Sequence, residues 1–92
     1  MKNNLGKYRS KVDKLDNSIF ILIKKRTKLV KNMLVLKKFK KEIVDQKRIN
    51  NILKKIRIKS IQNGIDPKIT KRIWKSMIWS YVDFQRRNFK KK

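Results

Sequence analysis

An all-α fold of three helices, one long and two shorter, is what this sequence predicts, on three observations. Apolar side chains recur at Leu5, Tyr8, Val12, Leu15, Ile19, Leu22, Leu29, Met33 and Leu36 in alternating steps of three and four, the seam of a helix packed against other helices. Asn63-Gly64 and then Asp66-Pro67 read as a helix stop followed by a helix start. No stretch alternates apolar and polar residues as a half-buried strand would. At 92 residues the chain is expected to form one domain, residues 1–92, small enough to draw extra core from association.

The first helix is expected from about Asn4 to about Lys38, some 50 Å at the helical rise, with Gly6 its only weak point. Residues 39–44 then connect to a second helix, for which Asp45 is the N-cap or first-turn acid. That helix carries Ile49, Ile52, Leu53 and Ile56 on one face and fades near Ile61. The third helix, with Asp66 as N-cap and Pro67 at its first position, shows Ile69 or Thr70, then Ile73, Trp74, Met77, Ile78, Tyr81, Val82 and Gln85, with Phe89 as the last apolar anchor. Two shorter helices cannot cover the whole of the first, whose seam persists over four heptads. A second copy of that helix is its natural partner, so an intertwined homodimer is expected.

Composition excludes several kinds of chemistry. With no Cys and no His there are no thiol nucleophiles, disulfides, imidazole bases or usual zinc and haem ligands. The longest strongly apolar run, Ile19 to Ile23, is far too short for a membrane span or a signal-peptide core, and a cytoplasmic location without membrane contact is expected. The formal net charge of +23 admits a small basic nucleic-acid-binding helical protein as an alternative. Yet the lysines are scattered, with dense runs only at Lys37–Lys41 and Lys90–Lys92, and no RRM, KH or zinc-finger signature is present. The chain holds 22 Lys, 13 Ile and 8 Asn and no Ala, a bias toward AT-rich codons that inflates lysine independently of function. No specific nucleic-acid partner is therefore expected.

Polar residues in apolar places are more informative. After Leu22 the next seam position is Arg26. Burying its guanidinium unpaired would cost several kcal/mol, and no Asp or Glu lies between Asp16 and Glu42, which points to a bound anion. Lys37 follows eleven residues later, within about 20° of the same helical face and roughly 16 Å along the axis, so both heads can converge on one small dianion. Arg48 opens the apolar face of the second helix, one turn before Ile52, and Gln85 continues that of the third, four residues after Tyr81. A neutral amide there donates a hydrogen bond without a pH-dependent charge. Arg9 is seventeen residues from Arg26, about 25 Å along the helix. It is out of reach of the same ligand within one chain, but can reach a partner's site in an antiparallel pair.

These residues carry a resemblance. Tyr8-Arg9-Ser10-Lys11-Val12-Asp13-Lys14-Leu15-Asp16 resembles the opening of the all-α (type II) chorismate mutases, roughly LRxxIDxxD. Lys24-Lys25-Arg26, Lys37, Val44-Asp45-Gln46-Lys47-Arg48, Asn63-Gly64-Ile65-Asp66 and Gln85 keep that family's order and approximate spacing. The resemblance covers about Tyr8 to Phe89 and implies an intertwined helical dimer that rearranges chorismate to prephenate, on the way to phenylalanine and tyrosine, with no cofactor. It also implies roles. Arg9 from the partner, Arg26 and Arg48 would hold the dianion, and Lys37 and Gln85 would donate to the ether oxygen whose bond breaks. Asp45, Ile49 and Tyr81 would line the substrate. Two positions depart from the mutase pattern: Ile49 stands where many members carry glutamate, and Tyr81 where many carry a small hydroxyl residue. Both, with Ile78-Trp79-Ser80-Tyr81, resemble the related isochorismate-pyruvate lyases of salicylate formation, the alternative activity, while Asp45 with Lys47-Arg48 resembles the mutases.

Overall fold

The computed structural model describes the backbone of residues 2–90 and the side chains from Asn4 to Lys90, so Lys91 and Lys92 lie outside the described residues. Three α-helices and one 3₁₀ turn follow one another: α1 Lys2–Leu36, the 3₁₀ turn Lys40–Ile43, α2 Gln46–Gln62 and α3 Pro67–Asn88. The all-α, three-helix expectation holds. The chain divides into two compact units, Met1–Asn32 and Met33–Lys92.

The first unit is helix alone. No proline interrupts it, and Ser18 and Thr27 turn their hydroxyls back onto the carbonyls of Lys14 and Ile23, four residues earlier. That bond keeps a β-branched or hydroxylated residue compatible with helix. Its seam from Leu5 to Leu29 is exposed, as are the neighbouring Phe20, Ile21 and Ile23. Arg26 and Thr27 are half-buried.

The second unit begins with the last turn of α1. Expected to run to about Lys38, the helix ends at Leu36. The Lys37 N–H bonds to the Leu34 carbonyl at 3.1 Å, the tighter closure that finishes many helices. The next two amides, of Lys38 and Phe39, are captured by one carboxylate oxygen of Glu42 at 2.7 and 2.8 Å. This is the reciprocal half of a capping box, and it starts the 3₁₀ turn in place of a further turn of α1. Phe39's N–H first, then that of Lys38 and the charges of Lys37 and Lys38, hold the Glu42 carboxyl below its ordinary value against the opposing effect of desolvation.

Asp45 caps α2 by accepting from the Arg48 N–H at 3.0 Å, as its position suggested. At the other end Gly64 takes φ 68°, the left-handed region where glycine carries no Cβ penalty. Ile65 N–H then reaches the Ser60 carbonyl at 2.9 Å and Gly64 N–H the Ile61 carbonyl at 3.3 Å, the paired bonds of a Schellman ending. Asp66 accepts from the Lys68 N–H at 2.9 Å with Pro67 in the first turn of α3.

The α2–α3 hairpin holds the core. Ile49, Ile78 and Val82 are buried, joined by Ile43 of the 3₁₀ turn, with Ile52, Leu53, Ile56, Trp74, Met77, Tyr81 and Phe84 half-buried around them. The choice left open between Ile69 and Thr70 falls to Thr70: Ile69 is exposed, while Thr70 meets the buried Ser60 hydroxyl at 2.7 Å. The Ser60 hydroxyl also lies 2.6 Å from the Ile56 carbonyl. Thr70 Oγ1 in turn lies 3.3 Å from the Pro67 carbonyl, so each hydroxyl has a carbonyl within reach of its one proton and either can be the donor between them. Ile73, expected inside, is exposed, because it lies about 140° around the helix from Ile78 and Trp74 takes the inward place.

Candidate active site

At the close of α1 and near the end of α3 two of the singled-out residues meet. Lys37 Nζ donates to Gln85 Oε1 at 2.7 Å, with Gln85 buried and Lys37 half-buried. The amide's orientation is fixed from both sides. An ammonium only donates, so oxygen must face Lys37. The other end, Nε2, donates to the Tyr81 carbonyl one turn back on α3 at 3.2 Å, and a carbonyl only accepts. One Nε2 hydrogen and two ammonium hydrogens remain for an incoming acceptor. Local structure places both groups: the end of α1 and the Glu42 clamp set Lys37, and the inward face carrying Ile78 and Val82 sets Gln85.

The remaining positions sort by unit. In the second unit Ile49 is buried one residue after Arg48, and its N–H bonds to the Asp45 carbonyl at 3.0 Å. Tyr81 is half-buried, four residues before Gln85. Arg48 is exposed at the first turn of α2, and Asp45, also exposed, commits one carboxylate oxygen to the Arg48 amide. In the first unit Arg9 is exposed on α1, while Arg26 is half-buried with its Nε shielded from solvent. Because α1 ends at Leu36, Lys37 stands just past the helix, and the helical spacing drawn from Arg26 applies only up to that residue. Among the described residues no group of three or more acidic, histidine or cysteine side chains is placed to hold a metal ion.

Sequence reasoning missed two buried residues of this unit, Ile43 and Ser60. Ile43 was read as connection, yet it is buried against α3. The signal was present in Glu42, three residues after Phe39, which is capping-box spacing. Ser60 and Thr70 tie the far end of the hairpin, a pairing that no local pattern announces.

A fixed, inward-facing ammonium and amide, both with hydrogens to spare, suit an acceptor oxygen of a small anion. A model of the chorismate mutase type II family matches residues 8–86. The chain belongs to the type II chorismate mutase family. All eight singled-out residues of this chorismate mutase domain, from Arg9 to Gln85, fall inside the matched range. No curated protein and no solved structure matches it. Among the described residues of the domain, no helix is long and apolar enough to cross a membrane.

Proposed function

We propose that this domain catalyses the rearrangement of chorismate to prephenate as a homodimer, and the observation that carries the reading is the Lys37–Gln85 pair. In the reaction the ether C–O bond breaks as a C–C bond forms, and both changes occur within one molecule. No proton, nucleophile or cofactor takes part, which suits a chain without His or Cys. What speeds such a step is holding the substrate folded and stabilising the negative charge that grows on the departing oxygen. Lys37 and Gln85 offer donors to that oxygen already in place. Arg26, Arg48 and the partner's Arg9 are assigned to the two carboxylates, each guanidinium able to grip one bidentately.

Isochorismate-pyruvate lyase is the second reading, favoured by one specific observation. The residue after Arg48 is a buried isoleucine, which presents no acceptor to a ring hydroxyl. Incubating purified protein with chorismate and, separately, with isochorismate, then identifying products by chromatography and mass, tests both. Prephenate from chorismate is expected. Salicylate and pyruvate from isochorismate, with chorismate untouched, would replace the mutase reading by the lyase one.

A further inference from the structure

Lys37 is the first residue beyond α1, so no helical ladder of hydrogen bonds fixes the chain that follows it. Its side chain is a flexible four-carbon stem ending in a point charge. A reacting group displaced by about 1 Å can lose about a hundredfold in rate. The backbone from which this ammonium reaches Gln85 therefore has to be held by something other than the helix.

Two peptide planes meet at the Lys37 Cα. The plane before it carries the Lys37 N–H, tied to the Leu34 carbonyl at 3.1 Å. The plane after it carries the Lys38 N–H, which donates to Glu42 Oε2 at 2.7 Å. The same oxygen accepts from the Phe39 N–H at 2.8 Å, so the next plane is held as well. Glu42 is itself seated. Its N–H returns to the Phe39 carbonyl at 3.0 Å, and the following residue, Ile43, is buried where the 3₁₀ turn packs on α3. That is the helix carrying Gln85. The turn thus ties the backbone of the ammonium to the helix of the amide.

We propose that Glu42 is a positioning residue for the Lys37 donor, holding the peptide after Lys37 so that its ammonium meets Gln85. The proposal rests on the reading of Lys37 as a donor to the substrate and names the residue that keeps it in place.

Glu42 is not spent as an ordinary surface acid. It is the one acid between Asp16 and Asp45, with Lys37, Lys38, Lys40 and Lys41 all within five residues, yet its Oε2 lies on two backbone amides. An exposed ion pair leaves two long side chains loose and contributes little. A carboxylate accepting two N–H groups makes charge-assisted bonds of defined direction. The Phe39 amide, ahead of the Lys38 amide and the two nearest lysine charges, keeps its carboxyl below the ordinary value against the effect of desolvation. The clamp is therefore charged throughout the neutral range.

Chorismate turnover by substituted proteins provides the test. Glu42→Ala should lower kcat by about tenfold to a hundredfold and leave KM near the wild-type value, because the arginines assigned to the carboxylates are untouched. Glu42→Gln keeps an acceptor oxygen on the same stem and should recover most of that loss. In a Lys37→Ala background Glu42→Ala should cost nothing further, since a positioning residue has no effect without the group it positions. Losses that multiply in the double variant would overturn the proposal by showing that Glu42 acts independently of Lys37. A Glu42→Gln variant as slow as Glu42→Ala would overturn it by assigning the effect to charge alone. A readout that needs no substrate separates the clamp from the activity. In nitrogen-15 spectra the Gln85 side-chain amide should shift in Glu42→Ala toward its position in Lys37→Ala, with hydrogen exchange at the Ile49 and Ile78 amides still slow. A Gln85 amide that stays at its wild-type position would overturn the proposal whether or not chorismate is a substrate. Wild-type protein that leaves chorismate unchanged, with Gln85 shifted in Glu42→Ala, would discard the activity and keep the clamp.

Discussion

In Met33–Lys92 a set of apolar side chains finds cover within the unit itself: Ile43, Ile49, Ile78 and Val82 are buried between two helices and a 3₁₀ turn, while others such as Ile69 and Ile73 stay exposed. In Met1–Asn32 the apolar side chains are arranged just as regularly, yet Leu5, Tyr8, Val12, Leu15, Ile19 and Leu22 are all more than half exposed. Periodicity, then, predicts which residues share a face and says nothing of which molecule covers it. A helical hairpin can bury its stripe by folding back on itself; a lone straight helix has a stripe and no interior. The residues singled out in the sequence divide in the same way: Lys37 and Gln85 lie in the unit with the buried core, and Arg9 and Arg26 in the unit whose seam is open.

The largest effect should come from breaking the polar pair. Lys37→Ala and Gln85→Ala should each lower turnover of chorismate by about a hundredfold to a thousandfold, with helical content by circular dichroism unchanged. Gln85→Glu sharpens the test. Its carboxyl would face the Lys37 ammonium, which favours the charged form, so the variant should work only at acidic pH, where the protonated carboxyl can donate. A flat pH–rate profile for this variant would count against Gln85 as a donor.

Next in size is a matched pair of core deletions. Ile78→Ala in the hairpin should cost about 2–5 kcal/mol, by the same amount at every protein concentration. Leu22→Ala on the open seam should produce a loss that grows on dilution, because a surface covered by a second copy is stable by mass action. Equal dilution behaviour of the two variants, followed by urea unfolding, would erase the distinction between the units.

Mixing subunits gives an effect of intermediate size. Arg9→Ala and Arg26→Ala homodimers should both be nearly inactive. Co-expression should return about a quarter of wild-type activity, since random assembly makes half the dimers mixed and each mixed dimer keeps one complete site. Mixed dimers confirmed by mass spectrometry but still inactive would place Arg9 within its own chain's site. The smallest change is expected at the hairpin's far end. Ser60→Ala removes the hydroxyl that Thr70 meets at 2.7 Å and should lower stability by about 1 kcal/mol, with turnover unaffected.

The elements legible in the sequence were those written in local chemistry. Asp45, Asn63-Gly64 and Asp66-Pro67 punctuate α2 and α3 where their cap bonds are found, because a cap needs only residues within one turn. The end of α1 was misjudged by two residues for the complementary reason: nothing in helical periodicity reveals that Glu42 will take the Lys38 and Phe39 amides away from the helix. Ile73 was assigned inward because an apolar residue near the edge of a stripe looks like a member of it, and only the packing of Trp74 tells them apart. Within the candidate site, Gln85 was conspicuous as an amide interrupting an apolar stripe. Lys37 was camouflaged by the lysines around it, and its contact with Gln85 spans 48 residues of sequence, a distance over which no pattern in a single sequence operates.

Glu42, Asp45, Asp66 and Asp83 share a habit whose consequence reaches beyond their own turns. The first three bind backbone amides within four residues, and Asp83 pairs with Arg87 one turn along the same helix at 2.8 Å. These acids therefore stitch elements internally and carry none of the attraction between them, while 29 cations face 6 acids across the whole chain. Dissolved salt screens the long-range repulsion over roughly 10 Å at 0.1 M and leaves contacts at hydrogen-bond distance largely intact. Ionic strength should thus act on this protein as a stabiliser. Its melting temperature should climb from low salt to about 0.5 M, where screening is well advanced, and sulfate should raise it more than chloride at equal ionic strength.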